Sequence, residues 1–200
     1  MVPTKRPSLL AALLGLALAA PAAAQPTPAT TLQGRHVLSI AVGAMPKVDA
    51  RPGVADVDGM AGGLSWIHWT TPSFAVDLSA NVHDAEARTT VSSSVVSLLV
   101  GGSWYPTALT IGSTVRPYLG LAVGPYIGAE ADLGDGSASA RTVFGARLSG
   151  GLDLFPTHWL RLGVRAAAHV APDFEEPVGS MRSPSGSQLG LEVGWMFGGR

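Results

Sequence analysis

The stretch FAVDLSANVH, Phe74 to His83, decides the fold. Phe74, Val76, Leu78, Ala80 and Val82 fall on one face, and Ala75, Asp77, Ser79, Asn81 and His83 fall on the other. A period of two is the signature of a β-strand, because successive side chains point to opposite faces of a pleated backbone. The pattern recurs in Trp159 to Val170, where Leu160, Leu162, Val164, Ala166, Ala168 and Val170 oppose Arg161, Gly163, Arg165, Ala167 and His169. It recurs in Gln188 to Phe197, where Leu189, Leu191, Val193, Trp195 and Phe197 oppose Gln188, Gly190, Glu192, Gly194 and Met196. Gly145 to Leu154 alternates similarly, and weaker versions occupy His36–Ala44, Met60–Trp69, Val95–Tyr105 and Tyr118–Glu130. Turn residues separate these segments at hairpin-like spacing, so the sequence predicts eight antiparallel strands.

Composition limits what those strands can build. The chain has 200 residues, 14% charged, with 25 Gly, 15 Pro, no Cys and a formal net charge of -1. A typical soluble domain carries roughly 25% charged residues and about 7% glycine. Disorder is disfavoured by the apolar content, and no basic footprint for nucleic acid is present. Without cysteine there is no disulfide framework, no thiolate zinc site and no thiol nucleophile.

The N-terminal segment reads as a secretory signal: Lys5 and Arg6, an apolar run from Leu9 to Ala20, then Ala22-Ala23-Ala24. Cleavage is expected between Ala24 and Gln25, giving a signal peptide over residues 1–24 and one domain over 25–200. The apolar run is short for a membrane anchor of ~20 residues. No later stretch is long and apolar enough for a transmembrane helix.

Connections alternate in length. Thr70–Ser73 and Pro156–His158 are short, Pro106–Thr114 is intermediate, and Met45–Gly59, Asp84–Thr90, Ala131–Ala140 and Ala171–Ser185 are longer and polar. In an up-and-down sheet, this puts tight turns at one end and loops at the other, the asymmetry of outer-membrane barrels. The apolar face is almost free of charge, whereas the opposite face mixes small residues with Asp77, Arg147, Asp153, Arg161, Arg165 and Glu192. A narrow eight-stranded barrel, just wide enough for side chains to fill, needs that mixture inside. Trp66, Trp69, Phe74, Trp104, Trp159, Trp195 and Phe197, together with Tyr105, Tyr118 and Phe155, cluster at the end with the short turns. Amphipathic rings at one height read as an interfacial girdle; the competing reading is a soluble barrel with core aromatics near its mouth. The predicted fold is an all-β, eight-stranded antiparallel up-and-down transmembrane barrel.

Two segments carry a family resemblance. The ending QLGLEVGWMF resembles the C-terminal β-signal of bacterial outer-membrane barrels, with Gln188, Gly190, Val193, Trp195 and Phe197 in the characteristic places. RPYLGLAVGPY, with inward Tyr118, Gly120, Gly124 and Tyr126, resembles a strand of the small OmpA/OmpX-type barrels. Gly198-Gly199-Arg200 extend past the aromatic residue on which that family usually ends. The resemblance implies a Gram-negative outer-membrane location, contact with membrane lipid and lipopolysaccharide, insertion by the barrel assembly machinery, and a monomer.

No catalytic, cofactor or metal site is expected. His36, His68, His83, His158 and His169 lack the i, i+4 spacing of a helical zinc site, and no G-x-S-x-G elbow occurs. Barrel-type lipid A deacylases resemble the chain in size, but their His-x-Ser element is absent. Asp132, Gly134, Asp135 and Gly136 read as a solvated turn rather than a Ca²⁺ loop. The inward charges have two readings, an ion pathway or a salt-bridge plug. The plug is favoured because buried charges are costly unless paired. Function is expected to be structural or adhesive, with Asp173, Glu175 and Glu176 as candidate contacts for cations or cation-bridged lipopolysaccharide. A narrow gated pore is the alternative, and a lipid A-modifying enzyme a lesser one.

Overall fold

The structure is a computed structural model that describes residues 32–50, 59–85, 91–111, 114–132, 138–178 and 181–199. The expected signal peptide and the Gly134-Asp135-Gly136 turn lie outside the described residues. Among the described residues there are eight strands: β1 (Arg35–Ala50), β2 (Gly59–Thr71), β3 (Phe74–Ala85), β4 (Val91–Trp104), β5 (Val115–Asp132), β6 (Ala138–Leu154), β7 (Leu160–Val170) and β8 (Met181–Gly198). Each pairs antiparallel with its neighbours in sequence, and β1 pairs with β8 to close the barrel. Closure leaves no sheet edge, so every strand can satisfy its backbone groups laterally, a requirement for crossing hydrocarbon with strands.

The faces fall as the period of two dictates. Asp77, Ser79, Asn81 and His83 of β3 are buried, while Phe74, Leu78 and Val82 are exposed on the outside. The same inversion holds around the wall: Leu38, Ile40, Leu64, Leu98, Leu121, Leu148, Val164 and Leu191 are exposed, and Arg147, Arg161, Arg165 and Glu192 are buried. Apolar-out with charge-in is the polarity of a barrel wetted by lipid.

Several strands extend further than the sequence pattern implied. β1 runs on to Ala50, β6 begins at Ala138 and β8 begins at Met181, so parts of the expected loops Met45–Gly59, Ala131–Ala140 and Ala171–Ser185 belong to the ladder. Hydrophobic alternation stops there because the outer face no longer needs to be apolar, whereas hydrogen bonding between neighbours continues.

β5 contains a local exception. Its pairing with β4 is interrupted between Ser97↔Tyr126 and Val100↔Val123, beside Pro125, which has no N–H to donate. The backbones approach closely at this place: a Cβ on Gly124 would lie 2.0 Å from the Leu98 carbonyl oxygen. Only glycine fits.

Inside, the barrel is filled in layers. At the turn end, Leu32, Val37, Ile67, Trp69, Tyr105, Tyr118, Phe155 and Met196 form one buried apolar cluster. At the loop end, Met45, Val95, Leu99, Tyr126, Phe174, Val178 and Met181 form a second. Phe174 and Val178 come from the connection between β7 and β8, which folds inward over the mouth; a Cβ on Gly128 would meet Val178 Cγ2 at 2.5 Å.

Candidate functional site

Between the two apolar clusters lies the polar middle of the lumen. The six charged residues expected to face inward do so, and they form two groups. Arg161, on β7, is a hub: its Nη2 is 2.7 Å from Asp153 Oδ1 and its Nη1 is 2.7 Å from Glu192 Oε2. The same Nη1 donates to Ser39 Oγ at 3.1 Å. Glu192 also pairs with Arg165, Nη1 to Oε1 at 2.6 Å, and the Tyr105 hydroxyl donates to Asp153 Oδ2 at 2.9 Å. The second group is looser: Arg147 Nη2 lies 3.3 Å from both oxygens of Asp77, and its Nη1 donates to Ser79 Oγ at 3.1 Å. A lumen void of about 10 Å³ is bordered by Asp77, Arg161, Arg165 and Glu192, room for about one water molecule.

Towards the loop end the ion pairs give way to histidine, tyrosine and glutamine. Tyr126 Oη and His169 Nδ1 are 2.9 Å apart, and His169 Nε2 is 3.1 Å from Gln188 Oε1. His83 and His169 meet edge to face with ring centroids 5.0 Å apart, and His83 Nε2 is 3.2 Å from Ser97 Oγ. The strand pattern placed His83, His169 and Gln188 on the inner face without connecting them; only the barrel's curvature brings β3, β5, β7 and β8 to one point.

The aromatic girdle requires a correction. Trp104, Trp159, Trp195, Phe74 and Phe197 are exposed on the outer wall, and Trp66 is half-buried there. Trp69, expected in the girdle, is instead fully buried inside with Tyr105, Tyr118 and Phe155. The reason is parity: Trp66 and Trp69 are three residues apart on one strand, so they point to opposite faces. The turn-end aromatics are thus two structures, a ring facing outward and a stopper facing inward. Trp159 and Trp195 pack together on the outer ring with centroids 5.9 Å apart. His36, on β1, stacks between His68 and Phe197, at 4.3 and 5.4 Å.

In the expected C-terminal signal, Gln188 and Gly190 face the lumen, and Val193, Trp195 and Phe197 face outward. Phe197 pairs with His36 across the closing seam. At the loop end, two of the three acidic candidates already have partners. Asp173 Oδ2 is 2.8 Å from Arg182 Nε, and Glu176 pairs with Arg141. Among the inward residues that the sequence pattern does not mark are Phe174 and Val178, which sit in a polar stretch without strand period, and Arg116, whose parity with inward Tyr118 is the available signal.

These features define a class of fold: a closed, eight-stranded antiparallel barrel, apolar outside and charged inside. Comparison with known protein families and with individually curated proteins by sequence finds no match. Comparison of structures does. The chain is similar to Neisserial surface protein A, with a TM-score of 0.65 and 16% identity over 82% of this chain and 98% of that one. It is also similar to Ail, the attachment invasion locus protein of Yersinia pestis, with a TM-score of 0.52 and 15% identity over 82% and 99% of the two chains. The outer membrane protein OprG of Pseudomonas aeruginosa matches with a TM-score of 0.51 and 11% identity over 86% and 99%. The fold is that of the small eight-stranded outer-membrane barrels.

Proposed function

We propose that this chain is an integral outer-membrane protein, monomeric and non-catalytic, whose filled lumen does not conduct and whose loop end carries a structural or adhesive surface role. The observation that carries this reading is the unbroken filling of the lumen: aromatic stopper, ion-pair lattice, His–Tyr layer, then the cluster that receives Phe174 and Val178. Steady ion flow needs a continuous aqueous path, and the six charged residues at the middle of the lumen are engaged with each other instead. The outward apolar wall and its aromatic ring support an outer-membrane location. In that setting the wall meets lipid, the loop-end rim with exposed Glu175 meets lipopolysaccharide, and the barrel assembly machinery reads the final strand.

Planar-bilayer recording tests the closed lumen: steady conductance on the nanosiemens scale overturns it. Heat-modifiable mobility of the outer-membrane fraction tests the location, and an altered lipid A mass on expression overturns the non-catalytic reading. A narrow gated pore is the second reading, favoured by one observation: Phe174 and Val178 ride on a connection rather than on a strand. Brief small openings, abolished when that connection is tethered to the wall, would support it.

A further inference from the structure

The ion-pair lattice leaves one cation over. Among the buried charged residues described, Arg116, Arg147, Arg161 and Arg165 face only Asp77, Asp153 and Glu192. Three of these arginines have a carboxylate within 3.3 Å; Arg116 has none. It lies at the start of β5 at the turn end of the lumen, 2% exposed. Its Nη1 makes a long 3.4 Å hydrogen bond to the Pro72 carbonyl oxygen, and its guanidinium sits 5.8 Å from the centre of the Phe155 ring. Nε and Nη2 are both buried without an acceptor.

Those two atoms form one edge of the guanidinium, and their N–H bonds run parallel. That edge matches two oxygens of a carboxylate or phosphate, the geometry of bidentate recognition. A second unpartnered donor, the Trp69 indole N–H, belongs to a ring that packs edge-on against the same Phe155, at 6.1 Å. Arginine does not lose its proton inside a protein, so its charge there calls for a counter-charge. Asp153 is already held by Arg161 and Tyr105.

We propose that the turn end of the barrel binds a small oxyanion, a phosphate or carboxylate group, on the Nε–Nη2 edge of Arg116. Its source is either a free anion entering from the turn side or the phosphate of a phospholipid headgroup at that height. The site stands on the lumen's geometry and is independent of the surface role proposed above.

The test is refolding of the full chain from urea into phosphate-free maltoside micelles. Unfolding is followed while sodium chloride is exchanged for sodium phosphate at constant ionic strength. Binding to the folded state alone raises the folded-to-unfolded ratio about tenfold when the anion is at ten times its dissociation constant, so the wild type should show a rise of that order that grows in proportion to the phosphate added. Arg116→Gln should show none. Arg116→Lys keeps the charge without the paired donors and should need at least tenfold more phosphate. A rise with inorganic phosphate identifies a free oxyanion. A rise that appears only when phosphatidylethanolamine is added identifies the headgroup. No rise with either, or the same rise in Arg116→Gln, overturns the proposal.

Discussion

Replacing Glu192 with glutamine preserves the shape of the side chain and removes one negative charge from the centre of the lumen. Glu192 is 3% exposed and holds Arg161 at 2.7 Å and Arg165 at 2.6 Å. After the change, Arg165 has lost its carboxylate and Arg161 retains only Asp153. Removing one member of a buried ion pair leaves an uncompensated charge and typically costs about 3–5 kcal/mol. At roughly 1.4 kcal/mol per factor of ten, the ratio of folded to unfolded barrel should fall by about two to three and a half orders of magnitude. The assay is urea unfolding in detergent, read from the shift between the compact and unfolded bands on unheated gels and from tryptophan emission. Asp77→Asn is the internal comparison: its contacts with Arg147 are longer, at 3.3 Å, and its side chain is 11% exposed, so its cost should be the smaller. Glu192→Gln/Arg165→Met returns the lumen to its original net charge and should recover much of the loss, as a double-mutant cycle would report. A cost for Glu192→Gln below about 1 kcal/mol, the range of solvent-exposed pairs, would refute the reasoning. It would mean that water reaches the arginines and that the lumen is not a dry plug.

Three further changes probe the wall and the cap. Leu121→Arg, on the lipid side near mid-height of β5, should destabilise the barrel in bilayers by about 2–4 kcal/mol, while Met60→Arg near the loop-end rim should cost about 0–1 kcal/mol; equal costs in refolding titrations would contradict the assigned lipid band. Gly124→Ala places a Cβ 2.0 Å from Leu98 O, whereas Gly62→Ala meets nothing closer than 3.6 Å; the first should sharply lower the yield of heat-modifiable protein and the second should leave it near wild type. Phe174→Ala should remove about 3–5 kcal/mol of packing from the loop-end cluster and speed proteolytic cleavage between residues 171 and 180, with the barrel fragment still resistant; unchanged cleavage would mean that Phe174 does not hold the connection in place.

Legibility in the sequence followed the lipid. Wherever the outer face must be apolar, alternation is forced, and Phe74–His83 or Trp159–Val170 can be assigned face by face. Beyond that band the constraint lapses, which is why the extensions of β1, β6 and β8 read as loop. The charged network was legible as a list of inward residues but not as contacts. That Arg161 reaches both Asp153 and Glu192 depends on β6, β7 and β8 curving around one axis, and period alone carries no curvature. Trp69 shows a different limit: height along the strand groups it with Trp66, and only parity separates the two. Phe174 and Val178 had no local signal, because their burial is decided by the space that Gly128 and its neighbours leave open.

The β1–β8 ladder, from Arg35↔Gly198 to Ala50↔Met181, has a consequence for timing. Every other ladder joins strands adjacent in the chain and can form as a hairpin. This one joins the two ends, so its loop-closure entropy is met only after all eight strands exist. Until then the sheet has two open edges, and Arg161 and Arg165 wait for a carboxylate carried on the last strand to arrive. Any chain cut short before Glu192 therefore lacks its lateral closure and one of its three inward carboxylates together. The same missing residues leave an incomplete molecule open to pairing with other chains and electrostatically unbalanced within.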